Sequence, residues 1–96
     1  MSEQGRITHG CVGLWNDEQA EPLRRIADLL HRFDYAAGVQ LSHSGQKGLS
    51  ERPWEGAVPL SASTSAVLRS EPAWTTISVS AVPFDKGWPT PVELTP

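Results

Sequence analysis

The sequence predicts an α/β chain made of one helix, one strand and a long irregular remainder. Three observations carry that prediction: a capped stretch with helical apolar spacing at 17–34, a short alternating run at 38–43, and residues 44–96, where no helical period persists. A helix followed within a few residues by a buried strand is the αβ half of a parallel unit. The expected division is a loop at 1–16, the helix at 17–34, the strand at 38–43, and a long loop with short strands at 44–96, all in one segment.

Asn16 suits a helix cap, with Gln19 three residues on to complete a capping box and Asp17 and Glu18 at the positive helix start. Leu23, Ile26, Ala27, Leu30 and Phe33 then form an apolar stripe, expected to face the core, while Arg24, Arg25, Asp28 and Arg32 take the wet face. Pro22 removes a backbone donor and crowds the carbonyl of Glu18. Its position predicts a short turn at 17–20 and a main helix that begins with Pro22 in its first turn.

The strand reads Gly38-Val39-Gln40-Leu41-Ser42-His43, followed by a Ser-Gly turn. Side chains alternate across a strand, so Val39, Leu41 and His43 point one way and Gln40 and Ser42 the other. A glutamine inside a buried strand is expensive unless something satisfies both its oxygen and its NH2. Gln40 is therefore the most informative residue of the chain.

Seven of the eight prolines and three of the four tryptophans fall within 44–96, where only Thr75–Ser80 reads as a further strand. Irregular excursions of that length usually build a functional site or cap, and otherwise signal a piece of something larger. The whole chain has 96 residues, 39% of them hydrophobic, which fits one small, moderately buried domain. A net charge of −3 with scattered basic residues argues against a nucleic-acid or anionic-membrane partner. No apolar run approaches the ~20 residues of a membrane span. The polar start Met1-Ser2-Glu3-Gln4 does not read as a signal peptide. The single cysteine, Cys11, excludes an internal disulfide and suits a reducing, cytoplasmic compartment.

Five stretches, in order, resemble one family. Gly5-Arg6-Ile7-Thr8, Gly13-Leu14-Trp15-Asn16-Asp17-Glu18-Gln19, Val39-Gln40-Leu41-Ser42-His43-Ser44-Gly45-Gln46-Lys47, Arg52-Pro53-Trp54-Glu55-Gly56 and Ser80-Ala81-Val82-Pro83-Phe84-Asp85 are similar to the flavin oxidoreductases called Old Yellow Enzymes. Within them the chain is most similar to bacterial ene-reductases of the xenobiotic-reductase and YqjM-like type, from about residue 3 to 94. The resemblance implies a segment of a (β/α)8 TIM barrel that binds FMN at the carboxyl ends of its strands. It also implies NAD(P)H as reductant and an activated alkene as the small-molecule substrate. On this sequence Gln40 matches the residue that holds the pyrimidine edge of the flavin, and Ser42 matches a small residue beside the substrate pocket.

The family's usual Leu-Ala-His-Ala-Gly-Arg-Lys is altered here: serines stand at Ser42 and Ser44, and Gln46 replaces the arginine, removing a fixed charge. A barrel of this kind needs ~250 residues, so the resemblance makes the chain an internal fragment: one strand, its preceding helix and a capping loop. The family's pair of substrate-binding histidines (or His and Asn) and its phosphate-gripping arginines are expected beyond Pro96, and the loop beneath the flavin before Met1. No catalytic residue and no metal ligand carries over.

Other constellations point elsewhere. His43 reads as a packed or turn-capping histidine. His9 and Cys11 lie two apart without the further ligands a zinc site requires. Cys11 with His43 offers a nucleophile–base pair that lacks an orienting third group. Trp54, Trp74 and Trp88 read as loop-packing anchors, with Trp54 beside Arg52 alternatively lining a pocket mouth. Three readings follow: a segment of an FMN-dependent NAD(P)H oxidoreductase reducing activated alkenes; a non-catalytic remnant or interaction piece that needs the remaining barrel strands; and a small Cys/His hydrolase.

Overall fold

The computed structural model describes residues 2–60 and 64–96. Its longest element is a helix, α1 (Asp17–Arg32), joined by a short second helix, α2 (Thr64–Leu68). Two two-residue strands, β1 (Ile77–Ser78) and β2 (Val92–Glu93), pair in parallel with Ile77 opposite Val92 and Ser78 opposite Glu93. Short 3-10 turns occupy Glu3–Gly5, Gly45–Lys47 and Pro53–Glu55.

The start of α1 follows from its side chains. Asn16 Oδ1 accepts from the Gln19 amide at 2.9 Å, and Gln19 Oε1 accepts in turn from the Trp15 amide at 2.9 Å. The reciprocal bond thus lands one residue before the cap. Pro22 lies inside the helix without breaking it, so the expected turn at 17–20 is not formed. The missing Pro22 donor removes one rung, and the cap at Asn16 keeps the first turn wound ahead of it.

The helix ends at Arg32, short of the expected residue 34, because the chain closes a Schellman motif. Asp34 takes a left-handed φ of 59°, its amide donates to His31 O at 3.0 Å, and the Tyr35 amide donates to Leu30 O at 3.0 Å.

The strand expected at 38–43 is not formed. Residues 34–43 are all exposed, and among the described residues no backbone–backbone hydrogen bond involves 36–43. A strand exists only through its neighbours, and no described segment lies alongside this one. The same cause corrects the apolar stripe: α1 contains no buried residue, with Ile26 56% and Phe33 67% exposed.

The core lies instead in the irregular half. Among the described residues the buried hydrophobics are Leu49, Leu60 and Ala66, with Trp74 packed against them. Leu49 holds a φ of 66°, a conformation that costs an L-residue ~1–2 kcal/mol; burying its side chain offsets that. Residues 49–51 and 58–60 run antiparallel, with the Leu60 amide donating to Leu49 O and the Glu51 amide to Val58 O, each at 2.9 Å. Ser50 also donates its amide to Ile7 O at 2.9 Å, which ties the amino-terminal stretch to the same ladder. With one half packed and the other projecting, the radius of gyration is 15.9 Å. A compact domain of this length has about 12.5 Å. No helix among the described residues is long and apolar enough to cross a membrane.

Candidate functional site

The segment 35–43 leaves the Schellman turn as exposed chain without regular structure. Ala37, Gly38 and Val39 run beside α1 and share an open apolar cleft with Leu14, Leu23, Ile26 and Leu30. Val39 thus lies toward the helix. Gln40, exposed like its neighbours, makes no hydrogen bond among the described residues, and neither does Ser42. Both therefore present unused polar atoms: the Gln40 amide offers two donors and an acceptor, and Ser42 a hydroxyl.

Their position is set from the carboxyl side. The Ser44 amide donates to Gly5 O at 3.0 Å and its hydroxyl to Arg6 O at 2.8 Å. The Ser44 hydroxyl is thereby satisfied by backbone. Gly48 closes over this contact: a Cβ there would stand 2.6 Å from Ser44 Oγ and 2.9 Å from Arg6 O. Only glycine fits. His43 Nδ1 accepts from the Gly45 amide at 3.1 Å, and its ring packs on Gly5, where a Cβ would approach Cδ2 to 2.7 Å. Packing and turn-capping thus account for His43.

Cys11, a free thiol, takes its contacts from Thr8, whose amide donates to Sγ at 3.4 Å. His9 Nε2 bonds Pro72 O at 2.8 Å, and its ring meets Trp74 edge-on at 5.1 Å. Among the described residues no hydrogen bond joins Cys11 to His43. No group of three His, Cys, Asp or Glu side chains gathers there to hold a metal.

Two charged clusters hold the rest. The Arg6 guanidinium lies between two indoles, 4.5 Å from the Trp74 ring and 5.4 Å from the Trp15 ring, while its Nε donates to Glu3 O at 2.8 Å. Arg52, Glu55, Arg69 and Glu71 form a closed ring of alternating charge. Arg52 Nη2 donates to Glu71 Oε1 at 2.6 Å and Nη1 to Glu55 Oε2 at 3.3 Å. Arg69 Nε donates to Glu71 Oε2 at 2.9 Å and Nη2 to Glu55 Oε2 at 3.2 Å. Hydrogen bonds first from Arg52 and then from Arg69 hold the Glu71 carboxyl at about 2, well below the usual carboxylate range. Glu71 and Glu55 likewise push the Arg52 pKa up. Trp54, which follows Arg52 by two residues in the chain, is 80% exposed and is not a buried packing anchor. Trp88 meets Phe84 edge-on at 5.3 Å. Nothing in the sequence foretold the ring, since its members lie up to 19 residues apart with no motif spacing.

No known family model matches the chain. Known proteins do. Over 95 residues it is 39% identical to an NADPH dehydrogenase of Listeria monocytogenes (strain HCC23) and to one of Listeria innocua, covering 99% of this chain and 22% of each of theirs. The chain is similar to part of an NADPH dehydrogenase. An NADPH dehydrogenase of Geobacillus thermodenitrificans is 32% identical over the same span. An NADH:flavin oxidoreductase of Gibberella zeae is 46% identical over 54 residues, 56% of this chain and 13% of that protein. The chain therefore spans about a fifth of the length of the NADPH dehydrogenases it matches.

Proposed function

We propose that the chain is the flavin-edge segment of an FMN-dependent NAD(P)H oxidoreductase of the Old Yellow Enzyme type, working in the cytoplasm on activated alkenes. The observation that carries this reading is a similarity to NADPH dehydrogenases that covers 99% of the chain, joined to a Gln40 amide with no internal partner. Such an amide fits the pyrimidine edge of a flavin, which has both donors and acceptors to match. Gln40 would hold and orient that edge. Ser42, two residues on and on the same side of an extended chain, would border the substrate. When bound, the flavin supplies the redox chemistry, passing hydride from the reduced nicotinamide to an electron-poor alkene. The residues of this chain contribute binding and orientation. In this reading the segment 38–43 would be a strand of a (β/α)8 barrel, formed once neighbouring strands supply its hydrogen bonds.

The direct test grafts residues 2–96 in place of the matching stretch of the Listeria innocua NADPH dehydrogenase. The graft is expected to hold FMN and oxidise NADPH. Gln40→Leu should weaken FMN binding about tenfold, the worth of one or two lost hydrogen bonds. A folded graft that holds no flavin, or one indifferent to Gln40→Leu, would refute the assignment. A second reading, a non-catalytic interaction piece, draws support from α1, which buries none of its own residues. Flavin-bound but inactive grafts would favour it.

A further inference from the structure

Every backbone carbonyl from Glu3 to Ile7 accepts a hydrogen bond, and most of the donors come from far along the chain. Arg6 Nε takes Glu3 O, and Trp74 Nε1 takes Gln4 O at 3.3 Å. The Ser44 amide and hydroxyl take Gly5 O and Arg6 O. The Ser50 amide takes Ile7 O. Residues 3–7 are thus a seat that receives the end of the Gln40 segment on one side and the buried cluster on the other.

Arg6 ties this seat to its surroundings. Its side chain is 12% exposed, pairs with Glu3 Oε1 at 3.3 Å, and spans the indoles of Trp15 and Trp74. Trp15 matters because the Gln40 segment runs back along α1, where Val39 shares the apolar cleft with Leu14, the neighbour of Trp15. Residues 40–43 therefore lie between two points, the Leu14–Trp15 corner and Ser44, and both points meet Arg6.

We propose that Arg6 is a positioning residue for the flavin edge: it fixes the register in which Gln40 and Ser42 face the cofactor. The inference rests on the flavin reading of Gln40. Backbone bonds to neighbouring strands look alike in every register, and a slip of one residue turns each side chain to the opposite face. A segment with no backbone–backbone bond of its own among the described residues takes its register from its fixed ends. Arg6 touches neither Gln40 nor Ser42. It acts through its own carbonyl on Ser44 and through its guanidinium on Trp15.

The test uses the Listeria innocua graft and, beside it, the 96-residue chain. In the graft, Arg6→Met keeps the aliphatic stem and removes the guanidinium. It should weaken FMN binding about fivefold, because the correct register is then populated less often, and should shift the visible flavin band. Arg6→Lys, which keeps a cation, should restore part of the affinity. Arg52→Met breaks the charge ring and should leave the FMN affinity of the folded graft unchanged. In the 96-residue chain, with no cofactor present, Arg6→Met should speed amide exchange at Ser44 by about tenfold. Unchanged exchange at Ser44 would overturn the proposal. So would an FMN affinity indifferent to Arg6→Met in a graft that Gln40→Leu weakens, or an equal loss with Arg52→Met. A graft that holds no flavin refutes the flavin reading instead, and exchange at Ser44 still decides whether Arg6 holds the seat.

Discussion

The helical arm and the irregular half divide the molecule in an unexpected way. Residues 17–43 contain the most regular element, yet they bury nothing and leave a run of backbone unpaired. The described residues of 44–76 form only short elements, α2 and two 3-10 turns, yet they hold the Leu49–Leu60–Ala66 core, an antiparallel ladder and a closed ring of four charges. Regularity and stability have come apart. A helix of one amphipathic face draws its stability from what that face packs on, whereas a loop that satisfies its own polar groups is complete in itself.

Substitutions can break that contrast. The largest effect is expected in the irregular half: Leu60→Ala should cost about 2–5 kcal/mol by urea denaturation. Ile26→Ala in the arm should stay within about 0.5 kcal/mol. Equal losses at the two sites would mean that the arm is packed in solution. Gly48→Ala comes next, at about 1–3 kcal/mol, because its Cβ would press on Arg6 O, a backbone atom that cannot swing away.

The charge ring sharpens the contrast through pH. Glu71 has a carboxyl held at about 2 in the folded chain, against about 4.3 for a free glutamate. Its stabilisation is therefore fully present above the unfolded value and fades as pH falls from there toward 2. Acid titration followed by tryptophan fluorescence should show the irregular half loosening in that window. Arg52→Met should flatten the dependence. The smallest expected effect is a gain. Asp34→Gly removes the strain of a left-handed aspartate at the helix end and should stabilise α1 by about 0.5–1 kcal/mol, read as increased helicity by circular dichroism.

The sequence was legible where signals are local. Asn16, Gln19 and the stripe from Leu23 to Leu30 marked the helix because cap and period are both written within a few residues. The helix end was not legible, since the left-handed position holds Asp34 and not the glycine that usually announces a Schellman turn. β2 escaped notice because Pro89 and Pro91 crowd a two-residue strand. Leu49, Leu60 and Ala66 follow no period, and the partners in the charge ring meet only through folding. The 38–43 run shows the opposite failure. Its alternation is a sound strand signal, but hydrogen-bond partners have to come from elsewhere. Of the candidate site, Gln40 and Ser42 were singled out from their residue types, while the clamp of Ser44 by Gly5, Arg6 and Gly48 emerged only in three dimensions.

Arg6 has a mechanical consequence. Trp15 heads the projecting helix and Trp74 leans on the buried cluster, so the guanidinium between them rivets the arm at its root. Any swing of the arm about that rivet must unstack one indole, and each such stack is worth about 0.5–2 kcal/mol. The hinge is thereby stiff enough to hold a default angle and soft enough to yield when something grasps the far end.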